Sequence, residues 1–481
     1  MRRTMRMSQS GRRRLTIAVG ATILAFGAIV LARAQTFALG APTQPPPIGG
    51  PAPVGPGTTR IDVHTDELTG FVALTQGAVL ANGVREVFGE VRIEASANGG
   101  VTQRRPVALA VVLDTSGSMM GEKIDSAVAA LHQLIGRMHA DDRVSVVVYN
   151  HEAHVLTSNL TPAAALELLR SSGYALGAAG GTNIPAGLRL GMAELERAPA
   201  DMSRRLVLIS DGLDGSGEPL AMVSSDVQRR AQGAMTTSAL GVGADYAEDW
   251  LTTVADAGRG NYAFLAQGAA LTSFLQRELE QAATTVAEGT RLDLALPPGW
   301  RVANAYGAQM DGATLPLGSL FASERRRVTL RFEVDAGAPG ATVAMPVALR
   351  YVAARDRMNR NLDLGRLSVA VVNDPSAVAA SQDATLHAEA VAAHVDASQA
   401  LAVTAWREGR TEEAARISDG NLVRLRELRR AAPAAAPMID QRVQATTADL
   451  DNFHSLDSSS AAGRAWGLSS NCDRRQRAEA F

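Results

Sequence analysis

Apolar and polar positions alternate over residues 87–95, with Val87, Val91 and Ile93 set against Glu90, Arg92 and Glu94. That is the period of a half-exposed β-strand. The same period returns at Val328, Leu330, Phe332 and Val334, separated by Thr329, Arg331 and Glu333. Further β-like runs cover 291–296, 344–352 and 367–372, punctuated by Pro297-Pro298-Gly299 and Asp335-Ala336-Gly337. Between these groups the pattern changes. An apolar run at 107–113 is followed by Ile124, Val128, Leu131, Ile135 and Met138, close to helical spacing. Strand-like runs at 144–149, 206–209, 236–240 and 262–265 then alternate with helical stretches, with a hairpin partner predicted at 153–156. The helices are expected from Thr161-Pro162 through Leu169, from Pro185 onward, and over 247–257 and 271–286. This order predicts an α/β fold with a doubly wound, mostly parallel sheet over 105–287. Strands on either side of that block, in 60–104 and 288–373, predict one β-sandwich into which it is inserted. Two separate small β units would give the same pattern.

Past residue 373 the character shifts again. Residues 384–406 and 411–430 are rich in Ala, Leu, Glu and Arg and predict two antiparallel helices joined at Glu408-Gly409-Arg410. Thr411 caps the second, with Glu412 and Glu413 near its positive end. A third helix is expected over 438–450, making 374–456 a helical segment and leaving 457–481 as a flexible tail. At the other end, Arg2, Arg3, Arg6, Arg12, Arg13 and Arg14 precede an uncharged, mostly apolar stretch at 15–32. Ala32-Arg33-Ala34 then offers a cleavage site, so residues 1–34 read as an export signal. The run at 15–32 is also long enough to remain as an anchor in the inner membrane. Residues 35–59, rich in Pro and Gly, form a semi-extended linker.

Composition narrows the function classes. The 481 residues are 46% hydrophobic, enough for sizeable cores, and a formal net charge of −2 gives no reason to expect nucleic acid. Cys472 is the only cysteine, which excludes an intrachain disulfide and a thiolate metal cage. Lys123 is the only lysine. Export places the protein in the periplasm or outside the cell, with membrane contact only through an uncleaved N-terminus.

The candidate chemistry begins where the 107–113 run ends, at Asp114-Thr115-Ser116-Gly117-Ser118-Met119. An acid and two hydroxyls at alternate positions on a strand-to-helix turn can face one small hard cation. Gly180-Gly181-Thr182-Asn183 follows, and then the run at 206–209 ends in Ser210-Asp211-Gly212. Each segment delivers oxygen at the carboxyl end of a strand or on a neighbouring loop, where ligands collect in open parallel sheets. Taken singly, each piece could be a helix cap or a turn.

In these residues the chain resembles the von Willebrand factor A (VWA) family, whose metal-ion-dependent adhesion site has the pattern D-x-S-x-S…T…D. The pattern falls on Asp114, Ser116, Ser118, Thr182 and Asp211. The resemblance implies that the two serines ligate the metal and that the threonine and acids bind it directly or through water. It also implies Mg2+, with Mn2+ or Ca2+ as substitutes, and a position left open for an Asp or Glu carboxylate of a protein partner. The overall layout looks like exported bacterial VWA proteins labelled calcium-activated chloride channel homologues. After the signal no second membrane-length apolar run follows, so a pore is not expected from this chain.

Other motifs carry less. His151-Glu152-Ala153-His154 is one residue short of a zincin pattern and lies in β-like sequence, where residues three apart point to opposite faces. Asp211, Asp214 and Glu218 lack EF-hand spacing. Cys472 lies in polar sequence and reads as incidental. The expected function is therefore non-enzymatic, metal-dependent protein binding. The alternatives are a metal-assisted hydrolase using the same ion, for which no general base adjoins these motifs, and a cell-envelope scaffold in which the ion is only structural.

Overall fold

The computed structural model describes residues 58–97, 105–171, 178–211, 213–243, 248–265 and 269–479. The expected export signal, and the linker apart from residues 58 and 59, lie outside them. Four strands come first: β1 (Arg60–His64), β2 (Leu68–Leu74), β3 (Ala78–Leu80) and β4 (Val84–Ala95). The α/β block follows as β5 (Val107–Asp114), α1 (Glu122–Ile135), β6 (Arg143–Tyr149), β7 (Ala153–Leu160), α2 (Pro162–Ser171) and α3 (Ile184–Glu196). It continues with β8 (Ser203–Ser210), α4 (Leu220–Gln232), β9 (Met235–Val242), α5 (Glu248–Gly258), β10 (Arg259–Leu265) and α6 (Ala269–Ala283). Six strands return the chain: β11 (Thr285–Leu294), β12 (Trp300–Tyr306), β13 (Thr314–Phe321), β14 (Arg325–Asp335), β15 (Thr342–Ala353) and β16 (Asn359–Val372). Helices α7 (Pro375–Ala380), α8 (Ala384–Arg407), α9 (Thr411–Ala431), α10 (Ala436–Ser455) and α11 (Ala461–Glu479) complete it.

The central sheet has the order β10-β9-β8-β5-β6-β7, parallel except for the edge strand β7, which runs antiparallel to β6. Strand β5 lies inside it, and all eight of its residues are buried. Its side chains divide between two cores. Val107, Leu109, Val111 and Leu113 pack with α1 and α6, whereas Ala108, Ala110 and Val112 pack with α3 and α4. A strand covered on both faces has no solvent side, which is why it reads as one continuous apolar run. The fold class expected from the sequence, a doubly wound α/β sheet with flanking strands and a helical C-terminal segment, is the one observed.

The outer strands form two five-stranded sheets, β1-β2-β4-β14-β12 and β13-β11-β15-β16-β3. Their inner faces share one core, in which Val91, Ile93 and Phe332 of the first meet Leu292, Leu349 and Val369 of the second. The chain leaves this core after β4 and re-enters it at β11.

Two expectations need correction. The helix expected to run to Val286 ends at Ala283, and Thr285 already opens β11, paired with Phe321 of β13. Helical and strand periods abut there without a Gly or Pro between them, and the β-branched run Thr284-Thr285-Val286 favours the strand. The tail expected at 457–481 is ordered as α11 over most of its length. Leu468 and Cys472 are buried in the core beneath α5, so Cys472 is not an incidental tail residue. Charge pairs to earlier elements, Arg474 with Asp449 and Arg475 with Asp256, reinforce that seat. A helix held by a few apolar side chains (Trp466, Leu468 and Cys472) and long-range ion pairs has no continuous stripe for periodicity to detect.

Candidate metal centre

Strands β5 and β8 lie side by side, and the chain leaves β5 toward β6 and β7 before returning to β8 on its other side. Their carboxyl ends therefore flank a topological switch point, the place where the loops diverge and leave a crevice. Asp114 ends β5 and Asp211 follows the last residue of β8; both are fully buried.

The turn after β5 is held by backbone and side-chain bonds. Thr115 donates its N–H to the Tyr149 carbonyl (2.7 Å), Gly117 donates to the Gly180 carbonyl (3.1 Å), and Met119 donates to Ser116 (3.0 Å). Ser116 is extended and Gly117–Met119 form a single 3-10 turn, so both serines are held against the strand ends. Asp114 Oδ1 accepts the Ser116 N–H at 2.8 Å, and its Oδ2 accepts the Ser210 hydroxyl at 2.7 Å. The Ser116 and Ser118 hydroxyls lie 3.1 Å apart, and Ser118 Oγ donates to Asp211 Oδ1 at 2.7 Å. Asp114, Ser116, Ser118 and Asp211 thus form one hydrogen-bonded row.

Thr182 arrives on the neighbouring loop by its backbone. Its carbonyl accepts the Gly215 N–H at 2.7 Å, and Asn183 donates its N–H to Asn150 at 2.7 Å. The row joining the other four residues does not include the Thr182 hydroxyl. Gly180 sits at φ +83°, and a Cβ there would meet His151 Nδ1 at 2.9 Å, so glycine is required for this loop to close on its neighbour. His151 is therefore nearer the site's rim than its place in the sequence suggested. Asp214 and Glu218 are engaged elsewhere. Asp214 accepts the Ile184 N–H (3.1 Å) and the Ser216 hydroxyl (2.6 Å), while Glu218 pairs with Arg189.

Electrostatics distinguish the centre from an ordinary capped turn. Burial pushes the Asp114 carboxyl above its usual range; the nearby Asp211 charge adds to this, against the opposing Ser116 and Ser210 hydrogen bonds. Tyr149 is fully buried beside this carboxyl. Burial first, and the Asp114 charge next, push its phenol well above its usual range. The Lys123 ammonium binds Asp211 Oδ2 and also donates to the Ser118 carbonyl at 3.2 Å. Sequence reasoning missed Lys123, Ser210 and Tyr149. Only Lys123 left a signal, as the sole lysine of the chain placed just beyond the serine turn.

The donor set suits a hard divalent cation. It offers two carboxylates and serine hydroxyls with no sulfur, and an ammonium already stands on one of the acids as a cation of the same sign. Among the described residues no group of three or more His, Cys, Asp or Glu side chains is placed to share an ion, so hydroxyl ligands would be needed here.

Residues 109–213, which span both strand ends, match the family model described as von Willebrand factor type A domain. The chain carries a VWA domain. An uncharacterized protein of Synechocystis sp. is 29% identical over 290 residues, 54% of this chain and 66% of that protein. Inter-alpha-trypsin inhibitor heavy chain H2 of Mus musculus is 29% identical over 164 residues, 32% of this chain and 17% of the relative. The match thus spans just under two thirds of the first relative's length and less than a fifth of the second's. Among solved structures, the von Willebrand factor type A protein from Catenulispora acidiphila aligns with a TM-score of 0.59 at 20% identity, covering 81% of this chain and 90% of that one. The ArnB paralog VWA2 from Sulfolobus acidocaldarius aligns with a TM-score of 0.58 at 15% identity, covering 86% and 100%. At these identities the likeness is one of fold, and it extends beyond the VWA domain itself.

Proposed function

We propose that this chain is an exported binding protein whose VWA domain captures a protein partner through a divalent cation. Asp114, Ser116, Ser118, Thr182 and Asp211 would hold Mg2+, or Mn2+ or Ca2+ in its place, and an Asp or Glu of the partner would complete the coordination. The observation that carries this reading is the hydrogen-bonded row at the switch point of the sheet, in which Asp114, Ser116 and Asp211 are buried and Ser118 is exposed. Two buried acids with one ammonium, seated on Asp211, leave a net negative centre, and burying charge without compensation is costly. Bound there, the ion would supply positive charge and an acceptor position for a carboxylate. The chain's own groups do the rest. Ser210 and the Ser116 N–H fix the Asp114 carboxylate, Ser118 fixes Asp211, and the 178–183 loop carries Thr182 to the same end of the sheet. The matches to VWA-domain proteins support protein interaction as the class of function. Export rests on the pattern at residues 1–34.

The test is capture from an envelope extract by the full chain in excess Mg2+, in EDTA, and by the Asp114→Ala variant, with a melting curve for each. The reading expects a partner held only by the wild type in Mg2+ while all three samples remain folded. The same partners in all three lanes would overturn it.

A further inference from the structure

Lys123 stands in the first turn of α1, where the helix's own N-terminal dipole disfavours a cation. It is nevertheless directed into the centre, where its ammonium meets Asp211 Oδ2 and the Ser118 carbonyl. The place it occupies is built for it by a third strand end. Gly243, just after β9, has φ +81°, and a Cβ there would meet Lys123 Cε at 3.1 Å and Nζ at 3.2 Å. The seat thus draws on the turn after β5, the end of β8 and the end of β9. The choice of residue matters as well. Of the 47 Lys and Arg residues this is the one lysine, and all the others are arginine. An ammonium on a flexible four-carbon stem binds as a point charge and can leave a carboxylate, whereas a guanidinium would lock onto it by two parallel bonds. The side chain is 33% exposed, so a path to solvent is open, while Asp211 beneath it has none.

We infer that Lys123 is a tethered competitor of the divalent cation: it neutralises Asp211 while the ion is absent and releases that carboxylate as the ion binds. This rests on the metal-binding reading above. Between them Asp114 and Asp211 carry two negative charges, and Lys123 offsets one. The ion-free ligand row is therefore kept in shape, and ion entry has to work against a positive charge already in place. Lys123 then sets how much divalent cation the domain needs before it can take a partner.

The test uses the full chain labelled with 13C-lysine, which gives one side-chain signal because there is one lysine, together with Lys123→Met. Mg2+ is the probe, followed by calorimetry, by melting in EDTA and in Mg2+, and by the lysine Cε resonance. Lys123→Met is expected to bind Mg2+ about tenfold or more tightly than wild type, given the repulsion removed from the ion's immediate surroundings. It should also melt lower than wild type in EDTA. In the wild type the Cε resonance should move toward that of free lysine as Mg2+ saturates the site. That last observation needs no variant, so the inference stays testable if Lys123→Met does not fold. If wild type binds Mg2+ while the Cε resonance stays still and Lys123→Met binds no tighter, Lys123 is not a competitor, and the metal reading survives. If neither protein takes up Mg2+, the metal reading fails and this inference with it.

Discussion

Tyr149 links the chemistry at Asp114 to the packing of the helix behind it. Its phenol lies fully buried beside the Asp114 carboxyl, and its ring rests on α3 at Gly187. A Cβ at Gly187 would meet Tyr149 Cδ1 at 2.6 Å and Cγ at 2.8 Å. Gly191, one turn on, would meet Val112 Cγ2 at 2.4 Å. The glycines therefore let α3 approach β5 and β6 closely, and neither is placed by a turn. Gly187→Ala is expected to cost about 1–3 kcal/mol as an overpacked core position. Urea denaturation checks this, and no loss of stability would mean that Tyr149 yields freely. At this scale Asp114, Ser116, Ser118 and Asp211 were legible because they follow the apolar runs of β5 and β8, whereas Thr182 follows a glycine pair. Lys123, Ser210 and Tyr149 were not, because what identifies them is proximity across strands rather than spacing along one.

Strands and helices inside the VWA domain were legible for a different reason. A strand covered on both faces, such as β5, is a run of apolar residues too short for a helix, and α1 carries its buried residues at helical spacing. Sandwich strands such as β4, β14 and β15 showed themselves by alternation, but β12 does not follow that pattern. Of its seven residues only Trp300 and Tyr306 are buried, and it drew no expectation of its own. The seam between this strand and α8 carries the element-scale prediction. His394 Nδ1 lies 2.6 Å from the Tyr306 hydroxyl, and Phe88 of β4 packs against both His394 and His387. Burial lowers His394 to about 4, with the Arg424 charge acting in the same direction, and burial lowers His387 as well. The unfolded chain therefore binds more protons than the folded one between the ordinary histidine value, about 6.5, and about 4. Stability contributed by neutral His394 is full above that window and is lost as pH falls through it. Allowing for solvent screening at a partly exposed site, the loss is about 1–2 kcal/mol. Unfolding free energies from urea denaturation of wild type and His394→Gln, measured from neutral pH down to about 4, should diverge by that amount. Parallel curves would mean that this histidine does not report on the seam.

The molecule as a whole is tied across its parts by contacts that pattern alone does not reveal. Arg205 on β8 is buried against Glu278 of α6 at 2.8 Å, while its guanidinium lies 4.7 Å from the centre of the Phe321 ring on β13. One side chain thus joins the VWA domain to the sandwich. Helix α11 ties the C-terminal helical segment to the α/β block, with Arg475 on Asp256 and Leu468 in the core under α5. These ties hold the α/β block to the rest of the molecule, and the candidate ligands stand at the carboxyl ends of β5 and β8 within it. Whether that site takes a divalent cation is the central claim. The direct measurement is calorimetric titration of Mg2+ into the full wild-type chain and into Asp114→Ala, with circular dichroism on both. The account predicts a saturable Mg2+ site in the wild type that is lost in Asp114→Ala while the fold is kept. Equal uptake by the two proteins, or none by a folded wild type, would contradict it.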